Sequence, residues 1–449
     1  MYAVSITNNS KKLSTLLIAL PLMLLAACGG GGGSSTSSDN NNDNNSGPST
    51  TLASIYPYQD SAYSGVLNDC VRAYQDELSC FVDVLPPLGI GDDDVTIEDI
   101  MSRVVVSHDW MGQRFERFLQ QASPSMIAMF EPLTAVVIAF DIRPAFYHPL
   151  TGAMYIDPAF LWLSPAEYAS IDDSPDYRSG FGNELALDTG WRYVNSHGNY
   201  ITTSNFSDGN DSRTFDDIIP GITNLLFHEL AHANDFLPPD IRNELLLPLG
   251  DDSFFDVIDQ VFADKQSIQQ RVTEPFPLIN NTLKTLASVL FGGEDASNNL
   301  LQLSAAEAGQ MFAIDGASDM YNYYTSAEDV AMLFEEAMMS YSMAALRDVA
   351  FLNNDNDNYC DQTIGWAQRG RIGEFQVNSR AQMVVSLMLP EQAEQVNAHL
   401  ADLAPAQVIP SGLQWCDSRT ALNTQPLTLR SASNAPSKTA AEQRLPIGH

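Results

Sequence analysis

Residues 224–237 read NLLFHELAHANDFL, and within them His228-Glu229-Leu230-Ala231-His232 constrains the fold more than any other stretch. Leu225, Leu226, Phe227, Leu230 and Ala231 give it a buried surround, and Pro238-Pro239 ends the run, so the segment predicts an interior helix. On a helix, positions i and i+4 share a face, so His228 and His232 stand side by side and can grip one metal ion while Glu229 sits beside a bound water. With seven histidines in the chain, this spacing arises by chance on the order of once per hundred such sequences. The plainer alternative is a pair of ordinary, partly buried histidines. Asp235, three residues past His232 on the same face, is expected to hydrogen-bond a liganding imidazole from behind.

The chemistry needs those residue types at that spacing. Zinc takes nitrogen ligands and, in catalytic sites, keeps a fourth position open; a carboxylate beside the water can take its proton and hand it to a leaving amine. Here the segment resembles the HExxH zinc metallopeptidases, the zincins. It departs from the metzincin pattern, because Asp235 stands where Gly is wanted and Pro238 where a third His is wanted. A gluzincin draws its third ligand from a later helix, and 321–343 (YNYYTSAEDVAMLFEEAMMSYSM) is the candidate, with Thr325 or Ser326 as cap. Tyr321 lies seven residues before Glu328, and with the His232-to-Asp235 extension this is similar to the anthrax lethal factor type of gluzincin. The resemblance implies Zn2+ held by His228, His232 and Glu328, with Glu229 as general base and acid and Tyr321 as an oxyanion donor. It further implies an α+β, helix-dominated, zincin-like catalytic domain with a small β-sheet, hydrolysing peptide bonds of a protein or peptide substrate. Glu335, two turns beyond Glu328, is the alternative ligand or a group behind the ligands, and Glu336 shares that alternative. Thr325 and Glu328 also read as a capping box. Zincins bind extended peptide along an edge strand beside the zinc helix; residues 152–157 (GAMYID) are the candidate and read equally well as a structural strand.

At the N-terminus, Lys11-Lys12 precedes an apolar run over 13–27 that is too short to span a bilayer, which reads as a secretory signal. Leu25-Ala26-Ala27-Cys28 resembles the bacterial lipobox, implying removal of 1–27 and acylation of Cys28, an anchor to the cell envelope. The residues after Cys28 are glycines rather than a retention aspartate, which points to the outer membrane. Residues 28–50 hold no apolar side chain beyond Cys28 and read as a flexible tether; the glycine run lacks the Lys-Ser/Thr of a phosphate loop. The chain carries 22 basic and 56 acidic residues, a net charge of −34, with no basic stripe, so nucleic acid is excluded as a partner and membrane contact is expected through the anchor. Besides Cys28, four cysteines remain, and an oxidising compartment suggests two disulfides. Of three pairings, Cys70–Cys80 with Cys360–Cys416 is favoured; no C-x-x-C spacing supports a thiolate metal site.

Downstream organisation divides into an N-terminal α+β part (51–215), a helical part carrying the metal site (216–425) and a polar tail (426–449). Thr96 and Asp99 mark a helix start, with a helical period running toward Ala122. Residues 134–141 and 153–157 read as strands separated by the turn at 149–152, and the chain past Pro165 reads as loop to about 215. Helices are expected over 218–237, 252–263, 279–291, 326–350, 377–389 and 391–402. Asp355, Asp357 and Asp361 begin a calcium-loop spacing that breaks at Cys360 and Trp366. His108, His148, His197 and His399 read as structural or exposed, and no G-x-S-x-G or Cys-His pairing suggests a protein nucleophile. Two further readings stay open: a non-catalytic envelope lipoprotein, and a zinc hydrolase acting on cell-wall peptides.

Overall fold

The computed structural model describes residues 13–15 and 51–422, except 53, 92–93, 203–208 and 248–249. Of the signal segment 1–27 it covers 13–15; Cys28, the 28–50 tether and the 426–449 tail lie outside the described residues. Strands run in chain order β1 (Leu13–Thr15), β2 (Tyr56–Pro57), β3 (Leu78–Cys80), β4 (Val104–Val106), β5 (Ala135–Ile138), β6 (Phe146–His148), β7 (Ala153–Ile156), β8 (Leu187–Val194), β9 (Leu346–Asn353), β10 (Thr363–Arg369) and β11 (Gln407–Val408). Helices outweigh them, and the architecture is mixed, α+β, as the sequence predicts. No helix among the described residues is long and apolar enough to cross a membrane.

The first sheet has the order β2-β4-β5-β7-β6. Its centre is parallel, β4 with β5 and β5 with β7, and every residue of those three strands is buried. Strands covered on both faces read as continuous apolar runs, and alternate residues divide between two cores. Val104, Val106, Val136, Ile138, Met154 and Ile156 face the main core, which includes both helices of the candidate site. Val105, Ala135, Val137, Ala153 and Tyr155 face a smaller core that contains the Cys70–Cys80 disulfide. Three β-branched residues at 104–106 make a strand where a helical period toward Ala122 was expected. The helix capped by Thr96 stops at Met101, and a second runs Asp109–Leu119.

The 152–157 segment is not an edge strand. β7 is interior, flanked by β5 and by β6, and the edge belongs to β6. The turn between them was legible: Gly152 adopts φ +64 and its amide donates to the His148 carbonyl at 2.9 Å, closing the β6–β7 hairpin.

A second sheet, antiparallel and ordered β11-β10-β9-β8, occupies chain that the sequence predicts as loop and as helix tail. The expected 326–350 helix stops at Met343, where Ala344 takes a left-handed conformation (φ 50), and β9 begins at Leu346. In the β8–β9 register Arg192 stands opposite Asp348, and Tyr193 opposite Arg347. The first pair forms a buried ion pair at 2.8 Å, joined by Arg369 at 2.6 Å. The Cys360–Cys416 disulfide spans 56 residues beside this sheet, so both favoured bridges are present.

Candidate metal centre

The site is built between two helices, Phe215–Phe236 and Ser326–Met343. The first begins at Thr214, whose hydroxyl accepts the Asp217 amide in a reciprocal capping box, and His228 through Phe236 are all buried. The second begins at Thr325, whose hydroxyl accepts the Glu328 amide at 3.1 Å. Half of the capping-box alternative for Glu328 is therefore realised: its backbone is capped, while its carboxylate turns inward to the histidines. Phe227 and Phe334 meet edge to face across the helix pair, with ring centroids 6.2 Å apart.

The structure brings His228, His232 and Glu328 together as a group able to hold a metal ion. Glu328 Oε2 lies 3.1 Å from His228 Nε2 and 3.4 Å from His232 Nε2, and the two Nε2 atoms are 3.2 Å apart. A tetrahedral zinc with bonds of about 2.0–2.1 Å requires ligand-to-ligand edges of about 3.3–3.4 Å. The three separations fit that triangle, and the donor set, two imidazoles and one carboxylate, is one zinc accepts. All three side chains are buried, as is Glu229. Glu229 receives a hydrogen bond from the Tyr147 backbone amide of edge strand β6, and its Oε2 has no hydrogen-bond partner among the described residues. A buried carboxylate oxygen left bare beside three convergent donors has the place of a proton acceptor for a water.

The electrostatics follow from this crowding. Burial opposes the imidazolium of His228, but hydrogen bonds to Glu328 and Glu335 outweigh it and push its pKa up to about 10. Burial works against Glu328 as well, yet the charge and hydrogen bonds of the two histidines hold its carboxyl well below the ordinary range. Glu229 is pushed up, chiefly by burial, with the histidines opposing.

The remaining predicted residues take different places. Glu335 stands outside the His228–His232–Glu328 group, behind His228: its Oε2 accepts His228 Nδ1 at 3.1 Å, which turns the Nε2 of that ring toward Glu328. Its Oε1 accepts the Tyr193 hydroxyl and an Arg347 nitrogen, each at 2.8 Å. Glu336 points away, accepting the Ile372 amide at 3.3 Å. Tyr321 spends its hydroxyl on Glu328 Oε1 at 3.1 Å and lies nearly parallel to the His228 ring, so in this arrangement it orients a candidate ligand rather than offering a free oxyanion donor. Asp235 makes no hydrogen bond to an imidazole. Its two oxygens accept the Gln269 amide (2.6 Å) and Gln269 side chain (2.8 Å), tying in the helix Ile268–Thr273, and His232 Nδ1 is left without a hydrogen-bond partner among the described residues. Of the other histidines, His148 stacks on Tyr74 at 4.5 Å and His399 bonds Ser340 at 3.0 Å. The Asp355 carboxylate caps Thr363 at the β9–β10 turn.

No protein-family model, curated protein or solved structure matches the chain. Four contributors escaped sequence reasoning: Tyr193, Arg347, the Tyr147 amide, and Arg178. Arg178 is ion-paired to Asp176 at 2.7 Å and opposes the rise that burial and Glu328 impose on the Tyr321 hydroxyl. Only Arg347 left a trace, a charge amid the apolar run of 346–352.

Proposed function

We propose that the chain is a zinc-dependent metallopeptidase, carried on the cell envelope by a lipidated Cys28. The observation that carries this reading is the triangle of His228, His232 and Glu328 donors at zinc spacing, with the bare oxygen of Glu229 beside it. Zinc bound there would supply a Lewis acid that polarises a carbonyl and acidifies a water. The protein's own groups account for the rest. Glu229, held by the Tyr147 amide and buried so that its proton affinity is raised, takes a proton from water and returns it to the leaving amine. Glu335 and Tyr321 hold His228 and Glu328 in their orientations. The main helix also lies against β6, which supports β6 as the edge along which an extended peptide would pair; this replaces the 152–157 segment.

The test compares zinc content and hydrolysis of a peptide library for the native chain, Glu229→Gln and Glu328→Ala. Glu229→Gln should keep zinc and fold while hydrolysis falls by about two to four orders of magnitude. Glu328→Ala should lose zinc. Undiminished hydrolysis in Glu229→Gln would remove the catalytic reading. The near-complete burial of all four residues favours a second reading, a non-catalytic metal site, which predicts zinc bound and no hydrolysis even in the native chain.

A further inference from the structure

Two carboxylates meet on one guanidinium. Arg347, on β9, donates from Nη1 to Glu335 Oε1 (2.8 Å) and from Nη2 to Asp319 Oδ2 (3.0 Å). Each carboxylate continues to a different metal-ligand candidate. Glu335 Oε2 accepts His228 Nδ1. Asp319 Oδ1 accepts the Tyr321 amide at 2.9 Å, capping the short 3-10 turn Met320–Tyr323, and the Tyr321 hydroxyl reaches Glu328 Oε1. The contacts close on themselves, because Glu328 Oε2 and His228 Nε2 are 3.1 Å apart. His228 and Glu328 lie on separate helices, a hundred residues apart in sequence, yet one side chain on a third element supports both. Tyr193, opposite Arg347 in the β8–β9 register, reinforces the junction by donating to the same Glu335 oxygen.

We propose that Arg347 is a positioning residue that sets His228 and Glu328 together, its guanidinium fork holding both the carboxylate that orients the imidazole and the carboxylate that aims Tyr321 at Glu328. This rests on the metal-site reading above. A planar fork suits the task, since it offers two nitrogens to two acceptors at fixed angles; an ammonium is a point charge that cannot reproduce both directions. Arg347, Glu335, Asp319 and Tyr193 are all buried, so solvent does not replace a lost contact.

Two measurements on the full chain test this: zinc affinity by chelator competition, and the His228 Nδ1–H hydrogen bond to Glu335 by proton and nitrogen NMR of the metal-free protein. Arg347→Lys keeps the charge, and circular dichroism reports whether it folds. The expected result is a folded variant with zinc affinity lowered about 10- to 100-fold and a His228 Nδ1–H signal shifted away from its native hydrogen-bonded position. The second arm is a double-mutant cycle of Glu335→Gln with Tyr321→Phe, which touch different ligands on different elements. Joined through Arg347, their losses in zinc affinity should be non-additive, the double variant losing clearly less than the product of the single losses. Arg347→Lys with native zinc affinity and a native His228 signal would overturn the proposal. If Arg347→Lys does not fold, the cycle decides, and strict additivity overturns it. A native chain that binds no zinc would instead sink the metal-site reading, and this inference with it.

Discussion

Zinc binding to this site should expel a proton, and the number follows from the geometry. Without metal, the His228 ring sits between Glu328 Oε2 at 3.1 Å and Glu335 Oε2 at 3.1 Å, and those bonds overcome burial to raise its pKa to about 10. At pH 7 the ring is therefore an imidazolium, the proton standing in for the cation. A ligand imidazole must be neutral at the donor nitrogen, so the proton on Nε2 leaves as zinc enters, while the proton on Nδ1 remains with Glu335. The apparent affinity should rise tenfold per pH unit, about 1.4 kcal/mol, between roughly pH 6 and 8.5. In the metal-free chain the same shift has a definite sign for stability. A base with its pKa raised from 6.5 contributes fully below 6.5 and loses that contribution as the pH climbs toward 10, so the metal-free fold weakens over that window and zinc restores it. Isothermal titration of zinc into the full chain, in two buffers of different ionisation enthalpy, reads the proton count directly. The expected value at pH 7 is close to one. A count of zero with a pH-independent affinity would mean that His228 is already neutral, and the assignment of Glu328 and Glu335 as its two partners would fail.

Three more outcomes follow from other parts of the molecule. Glu336 is buried with one oxygen lacking a hydrogen-bond partner among the described residues, and burial, opposed by Arg347, lifts its pKa to about 8 from 4.5. Its contribution is full below pH 4.5 and lost as the pH rises through 8, with a slope approaching about 1.4 kcal/mol per pH unit. Glu336→Gln should flatten that slope in urea unfolding at pH 5, 7 and 9, and an unchanged slope would refute the assignment. The Cys360–Cys416 bridge closes 56 residues and Cys70–Cys80 closes 10, so chain entropy alone predicts that removing them costs about 4 and about 3 kcal/mol respectively. Paired Cys→Ser variants melted side by side would refute this if the near pair mattered more. Cys28→Ser should release the chain from membranes without unfolding it; retention in the outer-membrane fraction after a salt wash would count against the lipobox reading.

What was legible at the level of sequence is what local chemistry alone determines. The main helix announced itself because its apolar surround, its polar face and its proline stop all lie within two dozen residues. The buried strand β5 was visible as a β-branched run, and β7 as a short apolar run directly after the turn at 149–152. The second sheet was not visible, and the reason is specific. Its two longest strands place Asp188, Arg192, Arg347 and Asp348 at buried positions, and Arg192 pairs with Asp348 across a register fixed only by the fold. A charged residue normally marks the solvent face, so period-2 reading of LDTGWRYV and LRDVAFLN gives the wrong answer at the positions that matter most. The edge strand was misplaced by one strand for a related reason: β6 is three residues long and merges with its turn, and nothing local says that β7 has a neighbour on both sides.

The same buried charges explain how the candidate site can hold its shape in the metal-free chain. Small zinc modules fold around their ion, because the ion supplies the core they lack. Here both helices are embedded in a large continuous apolar core that also takes in the first sheet. The charged groups between them, His228, Glu328, Glu335, Arg347 and Asp319, satisfy one another through hydrogen bonds of 2.8–3.1 Å. Removing one member leaves its neighbours as uncompensated buried charges, which is strongly destabilising, whereas the complete set is tolerated. The arrangement therefore selects for its own completeness, and the ligand triangle is held at zinc spacing by the protein. A preformed triangle is what the proposed catalysis would need, since donors that do not have to reorganise leave the binding energy available for the reaction.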